Sequence, residues 1–150
     1  FRLDNVPIEL KMTASWKIPV EIARDADGQH PSGIATSTSE YVMVISPGHS
    51  TKLDATVAKV RLFPTKILLK EAMERPIDTR HFPSHSLTTS SLVHYVNSKQ
   101  VPSEIYIGEF MCDTVPTFAI DLSKFTPFKS GLTQLKSVLN LLSYKYKQGA

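Results

Sequence analysis

Apolar and polar residues alternate along one stretch near the start of the chain. Every even position from Ile8 to Ile22 is apolar, and mostly polar residues stand between them. A period of two over this length predicts a β-strand with one buried and one solvent-exposed face. Because Pro19 has no backbone N–H, we expect the strand to break or bend there, or to lie at a sheet edge.

Turn-forming and β-prone segments follow. Arg24–Ser39 is rich in Asp, Gly, Pro, Ser and Thr, which predicts a long loop with a turn near Asp27-Gly28. The β-prone runs Tyr41–Ile45 and Leu53–Phe63 are joined by turn-forming residues at 46–50. The two runs therefore predict a hairpin with its turn at 46–50.

The middle of the chain mixes helical and extended patterns. Lys66–Arg75 is rich in helix formers and is followed by Pro76, so it predicts a short helix. Residues 77–91 have no clear period and are expected to be irregular. Leu92–Val96 fits either a strand or a short helix. Two further strands are predicted, at Ile105–Cys112 and Phe118–Leu122.

The end of the chain has the periodicity of an amphipathic helix. Its apolar positions recur at alternating spacings of four and three: Phe128, Leu132, Leu135, Leu139, Leu142 and Tyr146. This spacing predicts a helix that packs one face on the sheet. We expect Thr126 as N-cap, Pro127 at the first helical position, and the helix end near Gly149.

The composition is that of a folded globular protein, with 41 % apolar and 21 % charged residues. A chain of 150 residues is expected to form a single domain over residues 1–150. Since the chain does not begin with Met, we expect an N-terminal segment to be missing. The lone Cys112 favours a reducing compartment, and no apolar run approaches the roughly 20 residues that span a bilayer.

Positive charge is concentrated near the C-terminus. The net charge is only +3, but no acidic residue follows Asp121. The basic residues there are Lys124, Lys129, Lys136, Lys145 and Lys147. Tyr144, Lys145, Tyr146 and Lys147 alternate aromatic with cationic side chains, a pattern suited to stacking on nucleic-acid bases or to anchoring among lipid headgroups. These residues are predicted to bind an anionic membrane or RNA.

A second basic group is predicted at the junction of a strand and a helix. It contains Lys59, Arg61, Lys66 and Lys70, and it is diluted by Glu71 and Glu74. Each Lys near an anionic membrane contributes about 1 kcal/mol, so one copy would bind weakly and reversibly. An oligomer that presents several such surfaces would bind much more tightly. Membrane binding and self-association are therefore expected together.

Patterns for catalysis or metal binding are weak. His81 and His85 flank Pro83, which prevents the helical i, i+4 arrangement of a zinc site, and His94 and Cys112 add no second thiolate. Neither the Gly-x-Ser-x-Gly pattern of hydrolases nor a Gly-rich phosphate loop occurs. We expect a protein that is not an enzyme and that uses no metal or cofactor.

Four parts of the sequence resemble matrix proteins of non-segmented negative-strand RNA viruses. The resemblance to the bornavirus type involves Tyr41–Phe63 and the ending from Phe118–Leu122 through Ser143–Lys147. Leu10–Thr13 and Ser123–Phe125 are more faintly similar to the rhabdovirus matrix domain. No P-P-x-Y or P-[ST]-A-P budding motif and no Lys-rich N-terminal arm is present.

The resemblance implies an α+β fold of mainly antiparallel sheet packed with a few helices, including the C-terminal amphipathic helix. It also implies a virion structural protein that forms homo-oligomers beneath the envelope and takes part in budding. Its partners would be itself, the anionic inner face of the host membrane, and the nucleocapsid or single-stranded RNA in the host cytoplasm, with no small-molecule substrate. An RNA-binding module and a capsid-type structural β-domain are the alternatives.

Overall fold

The computed structural model describes residues 1–13, 16–25, 27–50, 55–83, 90–111, 128 and 131–149, with backbone alone for 49, 50, 55, 56, 83, 90, 106, 107, 110, 111, 132 and 142–149. The strands are β1 (Arg2–Leu3), β2 (Val6–Met12), β3 (Lys17–Ala23), β4 (Tyr41–Ser50), β5 (Ala55–Pro64), β6 (Asp78–Pro83), β7 (Ser90–Asn97) and β8 (Ile105–Met111). The helices are α1 (Thr65–Glu74) and α2 (Leu132–Gly149).

The strands form two sheets. One sheet has the order β1-β2-β4-β5-β8 and the other has the order β3-β7-β6. All described neighbours are antiparallel except β2 and β4, which are parallel. The predicted α+β class with a mainly antiparallel sheet is confirmed.

Strand β4 separates two hydrophobic cores. Successive side chains of a strand point to opposite faces of the sheet. Met43 and Ile45 accordingly belong to one core, which includes Leu135 and Leu139 of α2. Val42 and Val44 belong to the other core, which contains α1 and the three-stranded sheet through Leu68, Ala72, Ile18, Val20 and Val96. Helices α1 and α2 therefore pack on opposite faces of the five-stranded sheet.

The predicted strand from Ile8 to Ile22 is two strands in two different sheets. Strand β2 ends at Met12 and β3 begins at Lys17, so the break lies before Pro19 rather than at it. The alternation correctly predicted buried residues on both sides of the break, because Ile8 of β2 and Ile18 of β3 are buried. Pro19 lies within β3, an outer strand with one neighbour, where a missing N–H is tolerated.

The predicted hairpin is confirmed, but the prediction of a turn at residues 46–50 was wrong. These residues extend β4, and Ser46 pairs with Lys59 and Pro47 with Ala58. Strand β2 pairs with β4 no further than Ile45. Beyond that point no described strand pairs with β4 on its β2 side, so Pro47 is accommodated within the strand.

Helix α1 confirms the predicted Lys66–Arg75 helix to within a residue at each end. The irregular structure predicted for residues 77–91 was wrong for β6 and for the start of β7. Leu92–Val96, which fitted either a strand or a helix, is a strand. A short 3-10 turn at Gly33–Thr36 lies within the predicted loop Arg24–Ser39.

The C-terminal helix is present but starts later than predicted. Gly131 forms a turn, and α2 begins at Leu132. A Cβ atom on Gly131 would lie 3.0 Å from Leu3 Cγ and 3.1 Å from Asp4 Cγ, so the missing side chain allows this turn to approach β1 closely. The predicted starting residues Thr126 and Pro127, the predicted strand Phe118–Leu122 and Cys112 lie outside the described residues.

Candidate anion-binding surface

Lys66 and Lys70 lie one turn apart on the exposed side of α1. Leu68 and Ala72 are fully buried on the opposite side of the same helix. Neither lysine forms an ion pair with another described residue. The helix thus fixes two cationic side chains toward solvent, and we call this pair the α1 lysine pair.

Helix stability does not explain Lys66, although Lys70 has the opposite charge of Glu74 four residues on. Lys66 lies in the first turn, where the helix dipole favours anions and disfavours cations. Two like charges at i and i+4 also destabilise a helix by about 0.2–0.5 kcal/mol. Pro64, the N-cap residue, makes no side-chain capping hydrogen bond. A bound anion would relieve both unfavourable terms.

The far end of α1 is electrostatically different. Glu71 is buried, and its carboxylate accepts hydrogen bonds from Arg75 Nε at 3.1 Å and Nη2 at 2.6 Å. These hydrogen bonds raise the pKa of the Arg75 guanidinium above its usual value. Because Arg75 and Glu71 satisfy each other, the unpaired positive charge of α1 lies in its first two turns.

A groove of about 500 Å³ runs along the N-terminal turn of α1. Its walls include Thr65 and Lys66 of the helix, and Ser37, Thr38 and Glu40 of the connection before β4. The hydroxyl groups and Lys66 suit an anion, whereas the Glu40 carboxylate opposes one. The exposed lysine pair, rather than the groove, is therefore the feature that favours an anionic ligand.

Arg61 was predicted to share a basic patch with the lysines, but the structure separates it from them. Its side chain is 14 % exposed. The guanidinium donates from Nη1 to Ser98 Oγ at 2.7 Å and from Nη2 to Ser46 Oγ at 3.2 Å, and Nε lies 3.9 Å from Glu104 Oε1. Ser98 directly follows β7, so Arg61 links the two sheets rather than presenting charge to solvent.

Lys59 occupies an intermediate position. It lies on β5 opposite Glu109 of β8, and its Nζ is 3.9 Å from Glu109 Oε1. Its side chain is 60 % exposed. Exposed pairs of this kind contribute little to stability, but the neighbouring carboxylate partly cancels the positive charge. Of the four residues predicted as the second basic group, the α1 lysine pair alone lacks a described ionic partner.

Part of the predicted C-terminal basic surface lies on α2. Leu135 and Leu139 are buried, and Lys136 is exposed. Tyr144, Lys145, Tyr146 and Lys147 lie in the helical backbone near its end, and their side chains are outside the described part of the structure. Lys124 and Lys129 are outside the described residues as well. Since α1 and α2 pack on opposite faces, Lys136 and the α1 lysine pair belong to different sides of the five-stranded sheet.

Sequence reasoning missed the connection between β2 and β3. The alternation placed Met12 and Trp16 on the buried face, yet Met12 is 47 % and Trp16 is 46 % exposed. Lys17 Nζ lies 5.5 Å from the centroid of the Trp16 ring, within cation–π range. An exposed Trp beside Lys cannot be distinguished from a core Trp by a period of two, because the period says nothing about where the chain changes sheets.

No described helix is long and apolar enough to cross a membrane. Within the described ranges, no three His, Cys, Asp or Glu side chains lie together in a way that could hold a metal ion. Comparisons with protein-family models, with curated proteins and with solved structures found no match.

Proposed function

We propose that this protein is a non-enzymatic structural protein of viral matrix type. It self-assembles, attaches through exposed lysines to the anionic inner face of the host membrane, and links the envelope to the nucleocapsid. The observation that carries the proposal is the α1 lysine pair, Lys66 and Lys70, which is exposed and lacks a described ionic partner, with Lys66 in a first helical turn that disfavours a cation.

The placement of the basic residues on two sides supports a bridging role. The α1 lysine pair lies on one side of the five-stranded sheet, and Lys136 of α2 belongs to the other. A flat membrane would contact one of these sides and leave the other for a second anionic partner, such as nucleocapsid RNA. We assign the membrane to the α1 side, because its two lysines are held on one helix one turn apart.

Self-assembly follows from the weakness of a single contact. Two lysines contribute about 2 kcal/mol near an anionic membrane, which enriches one copy roughly thirtyfold. In an oligomer each further contact becomes intramolecular, so the summed binding is far stronger. Attachment of a lasting kind therefore requires many copies side by side.

Sedimentation with vesicles of phosphatidylserine and phosphatidylcholine tests the membrane function. The variant Lys66→Glu/Lys70→Gln is expected to weaken binding by about thirtyfold or more, because both favourable charges are lost. Gln at position 70 avoids a new repulsion with Glu74 one turn on. The matched control is Arg24→Glu, a charge reversal at an exposed residue after β3, which should sediment like the unmodified protein.

Unchanged sedimentation of the lysine variant would contradict membrane attachment through α1. Dynamic light scattering with and without vesicles supplies a second readout, since assembly on lipid should produce particles larger than the vesicles alone. The RNA-binding alternative gives a different result. It predicts binding to single-stranded RNA that falls steeply with rising salt and is lost in the same variant, without sedimentation with vesicles.

A further inference from the structure

The only tryptophan of the chain, Trp16, directly precedes β3, and the described residues on either side of positions 14 and 15 are hydrogen-bonded to other strands. The backbone N–H of Thr13 donates to Ile45 O at 3.0 Å, and the N–H of Ser98 donates to Trp16 O at 3.0 Å. The Thr13 hydroxyl also donates to Lys17 O at 3.3 Å. Thr13 is thus fixed to β4 and Trp16 to the end of β7, while Trp16 remains 46 % exposed.

Exposed apolar and cationic residues border the described ends of the connection between β2 and β3. Met12 and Trp16 are large exposed hydrophobic residues on either side of it. Lys17 lies against the Trp16 ring, and the exposed Lys99 directly follows Ser98, the residue that bonds to Trp16. We call Met12, Trp16, Lys17 and Lys99 the Trp16 patch.

Asp78, whose carboxylate interacts with Lys17, also has an arginine partner. Asp78 Oδ2 accepts a hydrogen bond from Arg80 Nε at 3.0 Å. That bond is the main reason why the pKa of Asp78 lies below its usual value, and the charge of Lys17 lowers it further. The described charges that interact here are those of Lys17, Arg80 and Asp78, and their sum is positive.

We propose that the Trp16 patch inserts into the headgroup layer of an anionic membrane. Trp is enriched at membrane–water interfaces, where its ring lies at headgroup level. Lysines beside it attract anionic lipid, and exposed large apolar side chains favour removal from water. A second copy of the chain is a poorer occupant, because two identical patches facing each other across a two-fold axis would bring their lysines together.

This inference rests on the proposed membrane function and adds a second contact to it. The two contacts are spatially distinct. Helix α1 follows β5 at the point where Pro64 pairs with Tyr41, whereas the Trp16 patch adjoins Ile45 on the same strand. Four residues along a strand correspond to about 13 Å. Variants at one contact are therefore expected to leave the other intact.

Fluorescence tests the inference directly, because Trp16 is the sole tryptophan. On titration with vesicles of phosphatidylserine and phosphatidylcholine, Trp16 emission should shift to shorter wavelength and be quenched by lipids with brominated acyl chains. Vesicles of phosphatidylcholine alone should cause neither change. The same samples are sedimented, so that binding and Trp16 insertion are measured together.

Two aromatic variants separate insertion from a general loss of apolar surface. Trp16→Ala should weaken vesicle binding by roughly tenfold, through loss of apolar area moved out of water. Phe82→Ala is the matched control, because Phe82 on β6 is also 46 % exposed and is expected to have no effect. Equal losses in both variants would overturn the inference.

The outcomes distinguish this inference from the proposed function. Sedimentation without a change in Trp16 emission would overturn the insertion of Trp16 and leave membrane attachment through α1 standing. Absence of both sedimentation and an emission change would overturn the two together. A shift that depends on protein concentration without lipid would mean that a second copy covers the patch, and would also overturn the inference.

Discussion

Arg61 and Lys66 are five residues apart and belong to one cationic run in the sequence, but they have opposite environments. Arg61 is largely buried and hydrogen-bonded to Ser46 and Ser98. Lys66 is exposed and has no described ionic partner. The difference arises at Pro64 and Thr65, where β5 ends and α1 begins. Arg61, before this junction, links the two sheets, whereas Lys66, directly after it, faces solvent.

At both positions the residue type matches its role. Guanidinium presents several N–H donors in a fixed planar arrangement, so Arg61 reaches two hydroxyl groups at once. Lysine has a compact, strongly hydrated charge on a flexible chain, which suits solvent-exposed contact with lipid headgroups. A count of positive charges in the sequence does not distinguish a structural cation such as Arg61 from a solvent-exposed cation such as Lys66. The burial of each side chain does distinguish them.

Replacing Arg61 should give the largest effect. Arg61→Ala removes two hydrogen bonds that a charged donor makes, and it leaves the Ser46 and Ser98 hydroxyl groups without that donor. We therefore expect a loss of about 3 kcal/mol in the free energy of unfolding. Urea denaturation followed by circular dichroism measures this loss. Arg61→Met keeps the apolar stem and should lose nearly as much if the hydrogen bonds dominate. A loss below about 0.5 kcal/mol would place Arg61 among ordinary surface cations.

Replacing Lys66 should have a much smaller effect, of opposite sign. Lys66→Glu puts an anion in the first turn of α1 and removes the repulsion with Lys70, so we expect a gain of about 0.5 kcal/mol in the free energy of unfolding. Chemical denaturation in low salt measures the gain, and added salt should reduce it. If Lys66→Glu destabilises the protein instead, Lys66 has a structural role like that of Arg61.

Replacing Arg80 should give the smallest effect. Arg80 is an exposed arginine, in contrast to the largely buried Arg61. Its hydrogen bond is the first cause of the lowered pKa of Asp78, followed by the bond from the Thr79 N–H. A carboxyl group whose pKa is lower in the folded state stabilises the fold at a pH above its unfolded-state pKa of about 3.8. This contribution is lost as the pH falls through the folded-state pKa.

Carboxyl chemical shifts in an acid titration should show the pKa of Asp78 moving up toward its usual value in Arg80→Ala. Asp25 is the internal control. Its pKa is held at about 2, chiefly by the backbone N–H of His30, and it should not respond to the substitution. An unchanged pKa of Asp78 would mean that Arg80 does not hold this carboxylate in solution.

Local chemistry predicted much of the fold. The helix formers before Pro76 located α1, and the alternation correctly placed Ile8 and Ile18 in the core. The exchange between sheets could not be predicted from period two, because β2 and β3 have the same alternation on both sides of the break. Strand β6 was also missed, since most of its side chains are exposed and its residues show no apolar pattern.

The candidate site was predicted less well than the fold. Lys66 and Lys70 were identified because charge and helical spacing are local properties of the sequence. The role of Arg61 depends on Ser98, which is distant in the chain and reaches Arg61 only when the two sheets pack together. Trp16 was assigned to the core by its hydrophobicity, and its exposure follows from a break in pairing that no single residue encodes.

The parallel pairing of β2 with β4 also affects how the chain folds. Ile8 pairs with Tyr41, although β3 and the long connection after it lie between them in the sequence. Val60 likewise pairs with the distant Gly108. The entropy of closing such loops is lost before the strand contacts compensate for it. Folding is therefore expected on the scale of about milliseconds to seconds that is typical of sheet-rich proteins, and the outer strands remain open to intermolecular pairing until it is complete.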